Sequence, residues 1–239
     1  MILEIDMKRL SYATIFRTIA REMVHDSSAL VWAKRIRDEF GMRCLISKGL
    51  QTPHVLLKDS HKILSMMGEP LVRSCKINKL ILRGDMGPNR SHYPNHGYYV
   101  NDEVALNADI FYHPDKPDDF MDSKGNRLSR AEQTLIHELG HALDERKGML
   151  STKPDWLKLS GWSETPKKGL RRLHIKEPGM PEVVGEWYYD PQISTFTRFY
   201  AKKNPWDDFA DSFAFYVGGL LSKVPENKAR YFKNLLSRV

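Results

Sequence analysis

Residues 129 to 148, SRAEQTLIHELGHALDERKG, specify a helix that belongs in the core of a fold. Ser129 followed three positions later by Glu132 is a capping box, in which serine accepts from the backbone at Glu132 and the glutamate reaches back. The helix therefore starts near Arg130. Leu135, Ile136, Leu139, Ala142 and Leu143 recur as an apolar stripe, and Gly148 beyond Lys147 ends it. On the same helix His137 and His141 stand four apart, with Cβ atoms about 5–6 Å from each other. Both imidazoles can reach one ion, as a tetrahedral zinc with Zn–N distances of about 2.0–2.1 Å requires. Glu138 points about 100° around the helix, beside such an ion, where it can take a proton from water. The His-Glu-x-x-His spacing thus points to zinc chemistry. The plainer reading is a helix with two polar residues at its buried edge.

A catalytic zinc needs a third protein ligand and one open position. A third histidine six residues past the second is excluded, because position 147 is Lys147, and His174 lies in a basic loop. Carboxylates are better candidates. NPWDDFADSFAFYV begins with Asn204 as cap and Pro205 at the first helical position, and carries an apolar stripe through Phe209, Phe213 and Val217. Asp207 and Asp211 flank that stripe, four apart. On spacing alone each has a second reading, Asp207 as a first-turn acid answering the helix dipole and Asp211 as a surface residue.

Elsewhere the period changes along the chain. The first 75 residues read as helical: Leu10, Ile15, Ile19 and Met23 at helical spacing, a second helix from Ser27 to Gly41, and a third from about Ser60 with a break at Gly68 to Pro70. Lys76 to Gly84, His96 to Val100 and Glu103 to Phe111 then alternate like strands. Helices, a short sheet and helices again predict an α+β arrangement, with an N-terminal helical portion (1–75) on a second unit (76–239). Residues 151–196 hold Trp156, Trp162 and Trp187 among glycines and prolines, and read as a loop-rich insertion forming a wall or lid. His92, His96 and His113 read as loop or core histidines.

With 239 residues, 41% of them hydrophobic, the chain can bury a sizeable core. Cys44 and Cys75 give no disulfide framework and suit a reducing compartment. Neither a signal peptide nor an apolar run of about 20 residues is visible, so a soluble, cytoplasmic protein without membrane partners is expected. The net charge is +7 and the pI about 9.3. Its densest basic stretch, Pro166 to Lys176, lacks aromatics to stack bases, so weak, non-specific polyanion binding is expected.

HELGHALD followed by YAKKNPWDDFADSF resembles the catalytic domain shared by anthrax lethal factor and the Pro-Pro endopeptidases, a zincin-like metallopeptidase group that includes proteins of bacteria and phages. There a tyrosine stands seven residues before an acidic zinc ligand, and a second acid four residues after it. Tyr200, Asp207 and Asp211 fit both spacings. The resemblance, spanning roughly Lys76 to Tyr216, implies a Zn2+ peptidase acting on peptide or protein substrate. In it His137, His141 and Asp207 are ligands, Glu138 is the general base and Tyr200 a donor to the oxyanion. It implies that Asp211 holds a ligand histidine from behind. Asp144, which also occurs in the family's helix motif, either does likewise or closes the helix end by hydrogen bonding. It also implies that GYYVNDEVALN includes an edge strand that pairs with extended substrate. The family ligand is usually glutamate; aspartates here demand a closer helix approach, with Asp208 the substitute ligand if the register shifts. The competing class is a zincin-like binding module without turnover, engaging protein or nucleic acid through its basic surface.

Overall fold

The structure, a computed structural model, describes residues 2–4, 27–47, 50, 52–84, 96–112, 120–175 and 183–238. The helix expected over Leu10 to Met23 lies outside them, as do His92 and His113. Five strands form one sheet: β1 (Ile2–Glu4), β2 (Arg43–Ser47), β3 (Lys79–Arg83), β4 (Gly97–Val100) and β5 (Glu103–Asn107), in the order β1-β2-β3-β5-β4. β2, β3 and β5 run parallel, while β1 and β4 are antiparallel to their neighbours. Parallel neighbours need a crossover, and between β2 and β3 the helices α2 (Pro53–Met67) and α3 (Glu69–Ser74) supply it. α1 (Ser27–Phe40) precedes β2 and ends at Gly41, whose φ of 80° no helix continues. Gly68, at φ 86°, breaks α2 from α3 where the sequence predicts a break.

Two expectations are corrected. The helical reading of the first 75 residues fails at Ile2–Glu4 and Arg43–Ser47, which are strands. Five residues with three buried apolar side chains carry no period that separates strand from helix, and β2 acquires its character from β3, some 35 residues further on. The strand read as Glu103 to Phe111 stops at Asn107, and α4 (Asp109–Tyr112) is a single helical turn. At that point β3 ends: Ala108 N–H takes the Arg83 carbonyl at 2.8 Å, and Phe111 N–H closes on Ala108 at 2.9 Å.

The sheet's two faces are unequal. Ile46, Leu80, Leu82, Val104 and Leu106 face the main core, packed with Leu56, Leu57 and Leu64 of α2. Leu45, Ile81 and Ala105 form a small second cluster under Tyr98. After a short hairpin of β6 (Phe120–Met121) and β7 (Arg127–Leu128) comes α5 (Arg130–Arg146), which buries Leu135, Ile136 and Leu139 against the main core. The stretch read as a loop-rich insertion contains α6 (Pro154–Ser160), β8 (Trp162–Ser163), β9 (His174–Ile175), β10 (Val183–Val184) and β11 (Tyr188–Tyr189), with β8 paired to β11 and β9 to β10. Its tryptophans give it order: Trp156, Trp162 and Trp187 are all buried. Then follow α7 (Pro205–Val217) and α8 (Glu226–Leu236). Trp156, Phe209 and Phe232 meet with ring centroids 5.0–5.6 Å apart, tying α6, α7 and α8 together. Each such pair adds about 0.5–1.5 kcal/mol beyond burial, so α7 is braced from behind. The chain is thus a mixed α+β protein, and no helix among the described residues is long and apolar enough to cross a membrane.

Candidate metal centre

α5 begins where the capping box fixes it: Ser129 Oγ accepts from Glu132 N at 3.2 Å, and Glu132 Oε2 from Ser129 N at 2.8 Å. Two turns on, His137 and His141 turn their Nε2 atoms to within 3.1 Å of each other. α7 delivers Asp207 from its first turn, with Oδ1 3.7 Å from His137 Nε2 and 3.6 Å from His141 Nε2. These three side chains can hold a metal ion. A circle through three points at such separations has a radius of about 2.0 Å, the length of a zinc bond to imidazole or carboxylate. Two imidazoles and one carboxylate, arranged this way, are a donor set that fits zinc.

The shorter carboxylates reach because the helices touch. A Cβ added at Gly140 would lie 3.0 Å from Phe213 Cδ1 and 3.1 Å from the Ala210 Cα. Gly140 adds no side chain to this contact, which falls between the turn bearing Asp207 and the one bearing Asp211. Asp211 is fully buried and accepts from His137 Nδ1 at 2.7 Å, Gln133 Nε2 at 2.9 Å, and Arg198 Nε and Nη2 at 2.7 Å each. With Nδ1 committed to Asp211, His137 presents Nε2 to the cluster. The surface reading of Asp211 is thereby excluded. Burial alone would lower the His137 pKa, but the Asp211 charge and the Asp207 carboxylate lift it to about 10. Asp211 itself is held below its usual range by His137 and Arg198, against the upward push of burial.

Glu138 is buried beneath the start of β4, where a Cβ on Gly97 would come within 3.1 Å of its Oε1 and 2.8 Å of Thr134 Cγ2. Burial raises its pKa against the pull of His137 and His141. Tyr200, in a 3-10 turn (Phe199–Lys202) before α7, is 44% exposed and sets its ring edge-on to His137 with centroids 6.0 Å apart. Burial and the Asp207 charge raise its phenol pKa. Lys203 Nζ lies 3.4 Å from the Tyr200 hydroxyl oxygen and 3.5 Å from Asp207 Oδ2, while Arg198 sits over the Tyr200 ring at 4.9 Å.

Two sequence candidates fall elsewhere. Asp208 faces away from the cluster: its carboxylate takes the Lys228 ammonium at 2.5 Å and the Trp162 indole N–H at 3.0 Å, and both members of the ion pair are fully buried. One residue on a helix is a turn of about 100°, so a neighbour of Asp207 cannot share its target. The Asp144 carboxylate is spent on the turn after α5, accepting from Ser151 N at 2.7 Å and Ser151 Oγ at 2.5 Å, the helix-end alternative of the sequence reading.

Gln133, Arg198 and Lys203 were not singled out by sequence. Gln133 had a local signal, standing four residues before His137 on the same helix face. Arg198 and Lys203 had none, because their role depends on how the 3-10 turn folds back on α7. Comparison with protein-family models and with curated proteins finds no match for this chain.

Proposed function

We propose that this protein is a zinc-dependent endopeptidase of zincin type, with His137, His141 and Asp207 as ligands and Glu138 as general base. The observation that carries the reading is the triangle of Nε2, Nε2 and Oδ1 atoms with edges of 3.1, 3.6 and 3.7 Å, next to a buried glutamate. Zinc in such a site supplies a Lewis acid that polarises a peptide carbonyl and acidifies water near neutral pH. Glu138, its pKa raised by burial, takes up the proton of the attacking water and passes it to the leaving amine. Tyr200 donates its hydroxyl to the developing oxyanion. Asp211, locked by Gln133 and Arg198, keeps the His137 ring in place.

The sheet edge supports a peptide as substrate. Asn107 N–H bonds to the His96 carbonyl at 2.9 Å, so His96 and Asn107 are a hydrogen-bonded pair, and pairs alternate from there. Asn101 and Asp102, at φ 48° and 65°, fit the two-residue hairpin that closes the far end in the same register. Gly97 and Tyr99 fall in the other class and turn their N–H and C=O groups away from β5, toward the edge of the sheet above Glu138 that is unpaired among the described residues. An extended chain added there is held by main-chain bonds, which are indifferent to its side chains.

Metal analysis tests the reading. Wild type is expected to hold about one zinc, and His137→Ala, His141→Ala and Asp207→Ala to lose it, since two ligands hold zinc poorly. Full zinc in all three variants would refute it. The binding-module reading draws on the exposed Lys167, Lys168, Arg171 and Arg172. It requires tight nucleic-acid binding that falls steeply with salt and with Lys167→Glu plus Arg171→Glu; weak, non-specific binding is expected.

A further inference from the structure

Asp207 has two carboxylate oxygens, and the one facing both imidazoles is Oδ1. Oδ2 is gripped from outside by Asn204, whose Nδ2 donates to it at 2.7 Å. The same amide's Oδ1 accepts from Asp207 N at 2.7 Å. A single side chain therefore closes a ring with one residue, capping α7 through its oxygen and holding a carboxylate through its nitrogen. We propose that Asn204 is a positioning residue for the metal, its amide nitrogen engaging Oδ2 so that Asp207 turns one oxygen, Oδ1, to the ion. This rests on Asp207 being a ligand, as argued above.

Physical chemistry explains why asparagine suits the place. Asparagine, aspartate, serine and threonine all cap helices well. Aspartate has no donor, and serine or threonine must accept and donate through one oxygen. Asparagine alone offers an acceptor and a separate donor. Lys203 Nζ also approaches Oδ2, but at 3.5 Å and from a side chain about half exposed, so it adds charge without fixing direction. Donors behind a ligand set its orientation, and losing one weakens metal binding by about ten- to a hundredfold.

The two roles of Asn204 separate in variants. Asn204→Ser keeps a neutral capping oxygen and loses the separate amide donor; Asn204→Ala loses both. Zinc affinity is measured by chelator competition on the full chain, well below the melting transition, and the melting temperature is read on metal-free protein. The expected result is that Asn204→Ser melts like wild type yet binds zinc about ten- to a hundredfold more weakly, while Asn204→Ala falls in both respects. If Asn204 is a cap only, the serine restores whatever affinity the alanine loses. Tight, His137-dependent zinc binding that Asn204→Ser leaves unchanged overturns this inference alone. A wild-type chain that takes up no zinc, or takes it up equally after His137→Ala, overturns the proposed function and this inference together.

Discussion

Three neighbouring acids on α7 have three different environments, and one helical turn accounts for the difference. Asp207 faces the histidines, Asp211 supports one of them from behind, and Asp208 points into the core. Asp211→Asn keeps shape and one acceptor, so it is expected to weaken zinc affinity about ten- to a hundredfold without abolishing binding, as chelator competition would show. Asp208→Ala removes none of the three cluster side chains, but it strips the fully buried Lys228 of its counter-charge. The predicted loss is about 3–5 kcal/mol in denaturant unfolding, and a change under about 1 kcal/mol would contradict it. The histidines and Glu138 were legible because helix periodicity converts spacing into direction, whereas Asp207 and Asp211 kept a second reading on spacing alone and were singled out by the family resemblance. Gln133 was within reach of the same argument. Arg198 and Lys203 were not, since nothing in the local pattern of STFTRFYAKK says which cation folds back on which carboxylate.

Between elements, the site depends on how closely α5 and α7 approach. Gly140 and Ala210 form the point of contact, and the aspartates, one methylene shorter than glutamate, need that closeness. Gly140→Ala places a methyl 3.0–3.1 Å from Phe213 and the α7 backbone. Because α7 is braced by the Trp156 and Phe232 rings, the strain cannot be relieved freely. The expected cost is about 1–3 kcal/mol in stability together with weakened zinc binding; full affinity in Gly140→Ala would show that the approach has slack. α5 and α7 were legible in the sequence because each carries its own start signal, Ser129 with Glu132 and Asn204 with Pro205. β2 carried none, and its strand character comes from a partner distant in sequence. The overextended β5 shows the converse, an alternating pattern that continues past the point where its neighbour ends.

At the scale of the molecule, the sheet joins the two halves of the chain. β2 hydrogen-bonds to β3 across the boundary near residue 75, and Leu56, Leu57 and Leu64 of α2 fill the core on which α5 rests. A fragment of residues 76–239 would expose the β2 side of β3 and that apolar surface. It is expected to lack a cooperative thermal transition and near-ultraviolet dichroism, whereas a sharp transition would make that half self-sufficient. The α+β class was legible, because the change from helical to alternating period survives in sequence; the order of the strands was not, because parallel pairing links segments that share no local signal. The proposed hydrolysis of peptide bonds at the cluster, with Glu138 as base, is tested by profiling cleavage of a proteome-derived peptide library with zinc-loaded wild type and Glu138→Gln at matched zinc content. Wild type is expected to cleave, a chelator to stop it, and Glu138→Gln to lack the activity. Equal cleavage by both proteins, or none by zinc-loaded wild type, would contradict the proposal.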